Sequence, residues 1–156
     1  MKVREVMNHD VVVCGMETDL SKAGEMMAAA GCGILPIVDA QGKVIGVITD
    51  RDICLALATA DRKASAMKVR EVSGGKVFSC HQGNDVRDAL RIMADYRVRR
   101  LPVMTDEGRL EGILCLDDIA LKAQAFETEA FSGPFFSDIA TTLRAVCEPR
   151  QPVAVS

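Results

Sequence analysis

Leu35-Pro36-Ile37-Val38-Asp39, the turn Gln41-Gly42-Lys43, and then Gly46-Val47-Ile48-Thr49-Asp50-Arg51-Asp52-Ile53 form the stretch that decides the fold, because it occurs twice. Sixty-six positions on, Leu101-Pro102 answers Leu35-Pro36, Gly108 and Gly112 answer Gly42 and Gly46, and Asp118-Ile119 answers Asp52-Ile53. Working outward, Val3-Arg4-Glu5-Val6 returns as Val69-Arg70-Glu71-Val72 at the same offset. Residues 3–57 and 69–123 align without a gap, and 17 of the 55 pairs are identical. A fixed period with Pro and Gly in register marks two copies of one supersecondary unit.

Each copy reads as strand, helix, strand, strand, helix. Val11–Cys14, matched by Val77–Cys80, is a short β-branched run that predicts a first strand. Thr18 or Asp19 is placed to cap a helix with Leu20, Ala23, Met27 and Ala30 on one face. In the second copy Asn84 is the expected cap, with Val86, Ala89, Leu90 and Met93 inward. Ile34–Val38 is a second strand whose Pro36 predicts an edge or a bulge. A tight hairpin at Gly42 leads to a third strand, Val44–Ile48, and a second helix runs from Thr49 or Asp50 to about Ala58.

Composition narrows the function classes. With 156 residues the chain can bury roughly 70% of its unfolded surface without disulfides or metal. Nineteen basic against 22 acidic residues give a net charge of −3, and the pI of 5.4 argues against nucleic-acid binding through net charge. No Trp and a single Tyr leave no base-stacking platform for single strands. The longest weakly polar stretch, Met26–Val38, is broken by Gly31, Gly33 and Pro36 and falls short of the ~18 residues of a membrane span. Met-Lys-Val-Arg-Glu opens the chain with no apolar run behind it, so a cytoplasmic protein with six reduced thiols is expected.

The Gly46-x-x-Thr49-x-x-Asp52 string, answered by Gly112-x-x-Cys115-x-x-Asp118 at the same spacing after a Leu-Pro-apolar strand, resembles the cystathionine-β-synthase (CBS) domain, and the tandem resembles a CBS pair or Bateman module over residues 3–123. The resemblance implies an α+β fold: two β-α-β-β-α repeats packed about a pseudo-twofold axis, at 1–60 and 69–123, a linker at 61–68, and a Phe-rich tail at 124–156. It implies a regulatory sensor rather than an enzyme, with no catalytic residue, no metal and no required cofactor. The ligand would be adenosine-containing (AMP, ADP, ATP or S-adenosylmethionine). A homodimeric disc and a separate, unidentified protein partner are also implied, with neither membrane nor nucleic acid.

The residues agree with that implication. Thr49–Asp52 falls at a strand-to-helix junction, where unpaired N–H groups and the positive helix end favour phosphate, and the Asp carboxylate can accept from ribose hydroxyls. The same Thr-x-x-Asp is equally a capping box. Because the family builds each cleft from both units, the resemblance sets Thr49 and Asp52 against Ser73, Lys76 and Phe78, and against Val98 and Arg100. It sets Cys115 and Asp118 against Met7, Asp10, Val12, Cys32 and Ile34. Cys115 departs from the Thr of the first copy, and a thiol is a weak donor and a poor cap. One phosphorylated ligand per chain, in the first cleft, is therefore expected. Arg97 and Arg99 are candidate phosphate partners or merely solvated charges.

Two rival functions stay open: a ligand-free dimeric scaffold, favoured by Cys115, and a thiol redox or metal sensor using Cys14, Cys80 or Cys115. Cys14 and Cys80 read as buried small hydrophobes. No nucleophile–base or zinc-site spacing is present. In the tail, Phe126, Phe131, Phe135 and Phe136 precede a helix expected over Asp138–Cys147 with Ser137 as cap and Ile139, Thr142, Leu143 and Val146 on one face. So many Phe predict docking on the chain's own domain or its dimer mate, the alternative being a partner-binding element.

Overall fold

The computed structural model describes residues 1–124 and 133–148, so Phe126 and Phe131 lie outside the described residues. The first copy forms helix α1 (Leu20–Ala30), strands β1 (Ile34–Val38) and β2 (Val44–Thr49), and helix α2 (Asp50–Ala60). A four-residue helix α3 (Val69–Val72) opens the second copy. Helix α4 (Val86–Tyr96), strands β3 (Arg100–Met104) and β4 (Leu110–Cys115), helix α5 (Leu116–Ala120) and the tail helix α6 (Phe136–Cys147) follow among the described residues. The fold is α+β, with two antiparallel two-stranded sheets, β1–β2 and β3–β4.

The expected first strands shrink to one residue each. Cys14 N–H donates to the Pro36 carbonyl at 3.0 Å, and Val38 N–H donates to the Cys14 carbonyl at 2.9 Å. Cys80 repeats this with Pro102 and Met104 at 3.1 and 2.9 Å. In a parallel ladder the next bond would run from residue 36 or 102 back to residue 12 or 78. Proline has no N–H to give, so the strand stops at one bridge. Both hairpins carry an irregularity one residue after that, between Ile37 and Val38 and between Val103 and Met104.

Local chemistry sets the helix ends. Asp19 caps α1 by accepting from Lys22 N–H at 2.8 Å, and Gly31 closes it at φ 61°, a left-handed conformation that suits glycine. The second copy puts Arg97 at that position with φ 54°. Asp85, not Asn84, caps α4, accepting from Arg87 N–H at 3.0 Å. The Asn84 side chain instead folds back to His81 N–H at 2.7 Å. Helix α6 starts two residues earlier than expected. Phe135 stands at its cap and the Asp138 carboxylate accepts the Phe135 N–H at 2.9 Å, so Ser137 is inside the helix.

The sequence repeat and the packing unit do not coincide. Val3, Val6 and Met7 are buried with Cys80, Val86, Leu90, Met93, Leu101, Leu114 and Ile119. Met67 and Val69 are buried with Cys14, Leu20, Met27, Leu35, Ile37 and Ile48. Each copy thus lends its opening residues to the core of the other. Backbone bonds fix the exchange: Val3 N–H to Asn84 carbonyl at 3.0 Å and Val86 N–H to Met1 carbonyl at 3.1 Å on one side, Val69 N–H to Thr18 carbonyl at 2.8 Å on the other. Lys43 and Arg109, equivalent positions, form an antiparallel bridge with each other, as a pseudo-twofold axis between the hairpins requires.

Candidate functional site

Thr49 and Asp52 form a complete capping box at the junction of β2 and α2. Thr49 N–H and Oγ1 both donate to Asp52 Oδ2, at 2.9 and 2.7 Å, and Asp52 N–H donates to Thr49 Oγ1 at 3.2 Å. Both residues remain partly accessible. The recorded bonds all fall on Oδ2, leaving Oδ1 with its lone pairs for further donors. Asp50 N–H is taken by the Gly33 carbonyl at 3.2 Å. A Cβ on Gly33 would lie 2.7 Å from Asp50 Oδ2, the end of an exposed side chain that would have to swing aside.

The second motif is chemically different. Cys115 occupies the cap of α5 and makes no side-chain cap bond. Burial pushes its thiol up to about 11, with the Asp118 carboxylate adding to the rise and the Arg100 guanidinium opposing it. Strand register explains the company: Arg100 pairs with Cys115 and Ile34 pairs with Thr49. Arg100 therefore stands beside the motif of its own copy. Val98 and Phe78 likewise pack against the second core, while Cys32, whose thiol donates to the Ile34 carbonyl at 3.4 Å, stays with the first. The expected crossing of residues 98–100 and 32–34 to the opposite motif is thus corrected. An antiparallel hairpin fixes its first residue opposite its last, whatever the two units do.

The opening segments do cross. Met7 is buried against Gly112, where a Cβ would meet Asn8 O at 2.7 Å and Met7 Sδ at 3.2 Å. Asn8 and Ile113 exchange two backbone bonds of 2.9 Å each. Asp10 and Val12 follow on the surface, Asp10 N–H turning back to Asn8 Oδ1 at 3.0 Å. On the other half, Val72 packs on the first core, so Ser73 emerges there, its hydroxyl 3.5 Å from Met16 Sδ. The equivalent bridge from Gly74 to Val47 is not made among the described residues, and nothing lies within 4 Å of the space a side chain on Gly74 would take. Since Pro36 faces Cys14, its partner Val47 turns its N–H and C=O to the free edge of β2. At this point the edge of β4 is covered by Asn8, and the edge of β2 makes no such bridge among the described residues.

One aromatic went unread in the sequence. Tyr96, nearly half exposed, stacks on Phe78 with centroids 3.8 Å apart and planes 15° apart, and Lys76 Nζ lies 5.8 Å from the Phe78 ring. Tyr96 ends α4 one residue before the left-handed Arg97, and being the only Tyr was its sole distinguishing mark. Two surface depressions, of about 390 and 240 Å³, contain none of the motif residues. His81 Nδ1 reaches Asp106 at 3.5 Å beside the larger one, yet among the described residues no three His, Cys, Asp or Glu are placed to hold a metal ion. Cys14 and Cys80 lie in separate cores, their thiols pushed up by burial to about 11 and about 12. No described helix is long and apolar enough to cross a membrane.

Comparison with known proteins bears on the same two stretches. A family model, that of the CBS domain, matches residues 3–59 and 69–124. The uncharacterised protein YlbB of Bacillus subtilis is 32% identical over 139 residues, 88% of this chain and 90% of that one. The CBS domain pair of protein MJ0100, solved with 5′-methylthioadenosine and S-adenosyl-L-methionine, superposes with a TM-score of 0.71 at 25% identity, over 78% of this chain and 94% of that one. Hypoxic Response Protein I, solved with two coordinated zinc ions, gives 0.71 at 27% identity, over 80% and 100%.

Proposed function

This chain belongs to the CBS-domain family, as a pair of the domains that act as regulatory modules, and on that premise we propose that it is a non-enzymatic sensor of an adenosine-containing ligand. The ligand sits in the first cleft, between the Thr49–Asp52 junction and the segment Ser73–Phe78. The observation that carries this reading is the difference between the halves: the edge of β2 at Val47 is open where the edge of β4 at Ile113 is covered by Asn8.

Each part has a physical role. Asp52 Oδ1 accepts from ribose hydroxyls while Oδ2 stays in the capping box. Lys76 supplies the positive charge for a ligand phosphate or carboxylate, since the first three N–H groups of α2 are already taken by Gly33 O, Asp50 Oδ1 and Thr49 Oγ1. Val47 offers a backbone N–H and C=O to the edge of a base. The likeness to the MJ0100 pair supports the ligand class. Occupancy draws Ser73–Phe78 and β2 together and so changes how the two units sit, by no more than the ligand's differential affinity for the two arrangements. Val12, Ile45 and Leu55 are 39, 43 and 50% exposed, and α2 buries no residue. This apolar surface supports a homodimer that passes the change to a separate partner.

Isothermal titration of the protein with AMP, ADP, ATP and S-adenosylmethionine tests the reading. One site per chain for at least one of them is expected, weakened tenfold or more in Asp52→Asn, which keeps the shape of the capping box. Equal affinity in the variant, or two equal sites, would remove the first cleft from the reading. No binding of any of the four would leave the scaffold.

A further inference from the structure

Helix α6 lies outside the repeated units, and its contacts do more than cover α4. Arg87, in the first turn of α4, donates to Asp138 Oδ2 at 3.3 Å and to the Gly133 carbonyl at 2.6 Å, with its guanidinium 5.0 Å from the Phe135 ring centre. Ten residues on along both helices, Arg97 donates to Glu148 at 3.1 Å, and Arg99 reaches Cys147 Sγ at 3.5 Å. The two helices therefore run parallel and in step, so their negative C-terminal ends meet, and Arg97 sits between them. Arg97 and Arg99 lead directly into Arg100, which faces Cys115 and Asp118. The Arg99 carbonyl accepts the Leu116 N–H at 2.9 Å, so this basic run forms a lip at the start of α5.

We propose that Arg97, Arg99 and Arg100 form a second, phosphate-binding site that the chain masks with its own tail. Glu148 is the internal anion, and α6 is the strap that delivers it. Arg97 and Arg99 both reach the C-terminal end of α6, where their like charges repel unless an anion lies between them. An exposed pair such as Arg97–Glu148, whose side chains are 38 and 53% accessible, shifts an equilibrium by no more than a few-fold. A polyphosphate offers bidentate oxygens to several guanidinium groups at once and outcompetes a single carboxylate. Anion binding at the lip then frees the C-terminal end of α6. Ligand charge is thereby read by the tail, independently of the adenosine reading for the first cleft.

The test uses inorganic tripolyphosphate on the full chain, by titration and by hydrogen exchange of the amides of Phe136–Cys147. Tripolyphosphate should speed exchange in the last turns of α6 in the wild type. Glu148→Gln should bind it at least threefold more tightly, and Arg97→Gln/Arg99→Gln should abolish both effects. Asp52→Asn should leave all of them unchanged, which separates this site from the first cleft. Unaltered α6 exchange on saturation, unaltered affinity in Glu148→Gln, or no tripolyphosphate binding would overturn the proposal, whatever nucleotides do at Asp52.

Discussion

Thr49 and Cys115 occupy one structural position with two chemistries, and the difference is measurable. Thr49 closes a capping box; Cys115 caps with backbone alone. Thr49→Ala should cost about 1 kcal/mol in urea unfolding, and Cys115→Thr should recover up to about 1 kcal/mol. The buried thiols add a pH signature. Cys14 and Cys80 hold folded-state values of about 11 and about 12, above the ordinary thiol range. Their contribution is thus complete below the unfolded value and is lost as pH rises from about 8.5 towards the folded values. Each should steepen the alkaline loss of stability by up to about 1.4 kcal/mol per pH unit. Cys14→Ala and Cys80→Ala should flatten that slope, read from urea midpoints between pH 8 and 10.5. At this scale the sequence carried the Thr49–Asp52 capping box and the burial of both thiols. It could not carry the company of Arg100, which depends on which strand end meets which, nor that of Tyr96, whose stacking on Phe78 joins residues eighteen apart in a geometry no local pattern encodes.

At the scale of elements, two glycines act as internal controls for each other. A Cβ on Gly46 meets only the Ile37 Cδ1 methyl at 3.0 Å, whereas on Gly112 it meets a backbone oxygen, Asn8 O, at 2.7 Å. Gly46→Ala should be tolerated within about 1 kcal/mol, since a methyl can rotate away, and Gly112→Ala should cost about 1–3 kcal/mol by prising Asn8 off β4. Faster amide exchange at Asn8 and Ile113 in Gly112→Ala would locate the damage. Four of the strands and the first helix were legible because hydrophobic period, caps and the Gly42 turn agree with one another. The Val11–Cys14 and Val77–Cys80 strands were misread because β-branched composition records what a segment tolerates, while Pro36 and Pro102 withhold the bond that would have extended the ladder. The cap of α4 fell to Asp85 because Met1, from the other end of the chain, satisfies Val86 N–H. The second helix of the second copy is five residues against eleven, and α6 takes over the rest of the cover on α4.

For the whole molecule, the exchanged opening segments tie each core to residues of the other copy. Val3 is fully buried in the second core and Val69 in the first. Removing residues 2–7 takes Val3, Val6 and Met7 from the second core at about 1–3 kcal/mol apiece, comparable with the entire stability of a small domain. The truncated chain should lose protection at Cys80, Leu101 and Leu114 while Leu35 and Ile48 keep theirs for as long as the first core stands alone, as amide exchange would report. The offset of 66 was plain in the sequence. The exchange was not, because an internal repeat specifies which residues are equivalent and leaves open whether each copy packs on itself or on its twin.

That exchange has a consequence for how the chain comes off the ribosome. Synthesis delivers residues 3–7 well ahead of the surfaces that bury them, from Cys80 to Ile119, which arrive more than seventy residues later. The first core is completed earlier, once Met67 and Val69 have emerged. Residues 3–7 must therefore wait while the first copy is made, and they are seated in the second core only after its own residues have emerged. Birth order and folding order run opposite at this end of the protein. A slowed codon between positions 70 and 120 would prolong the interval in which Val3, Val6 and Met7 are open to other chains on the same polysome.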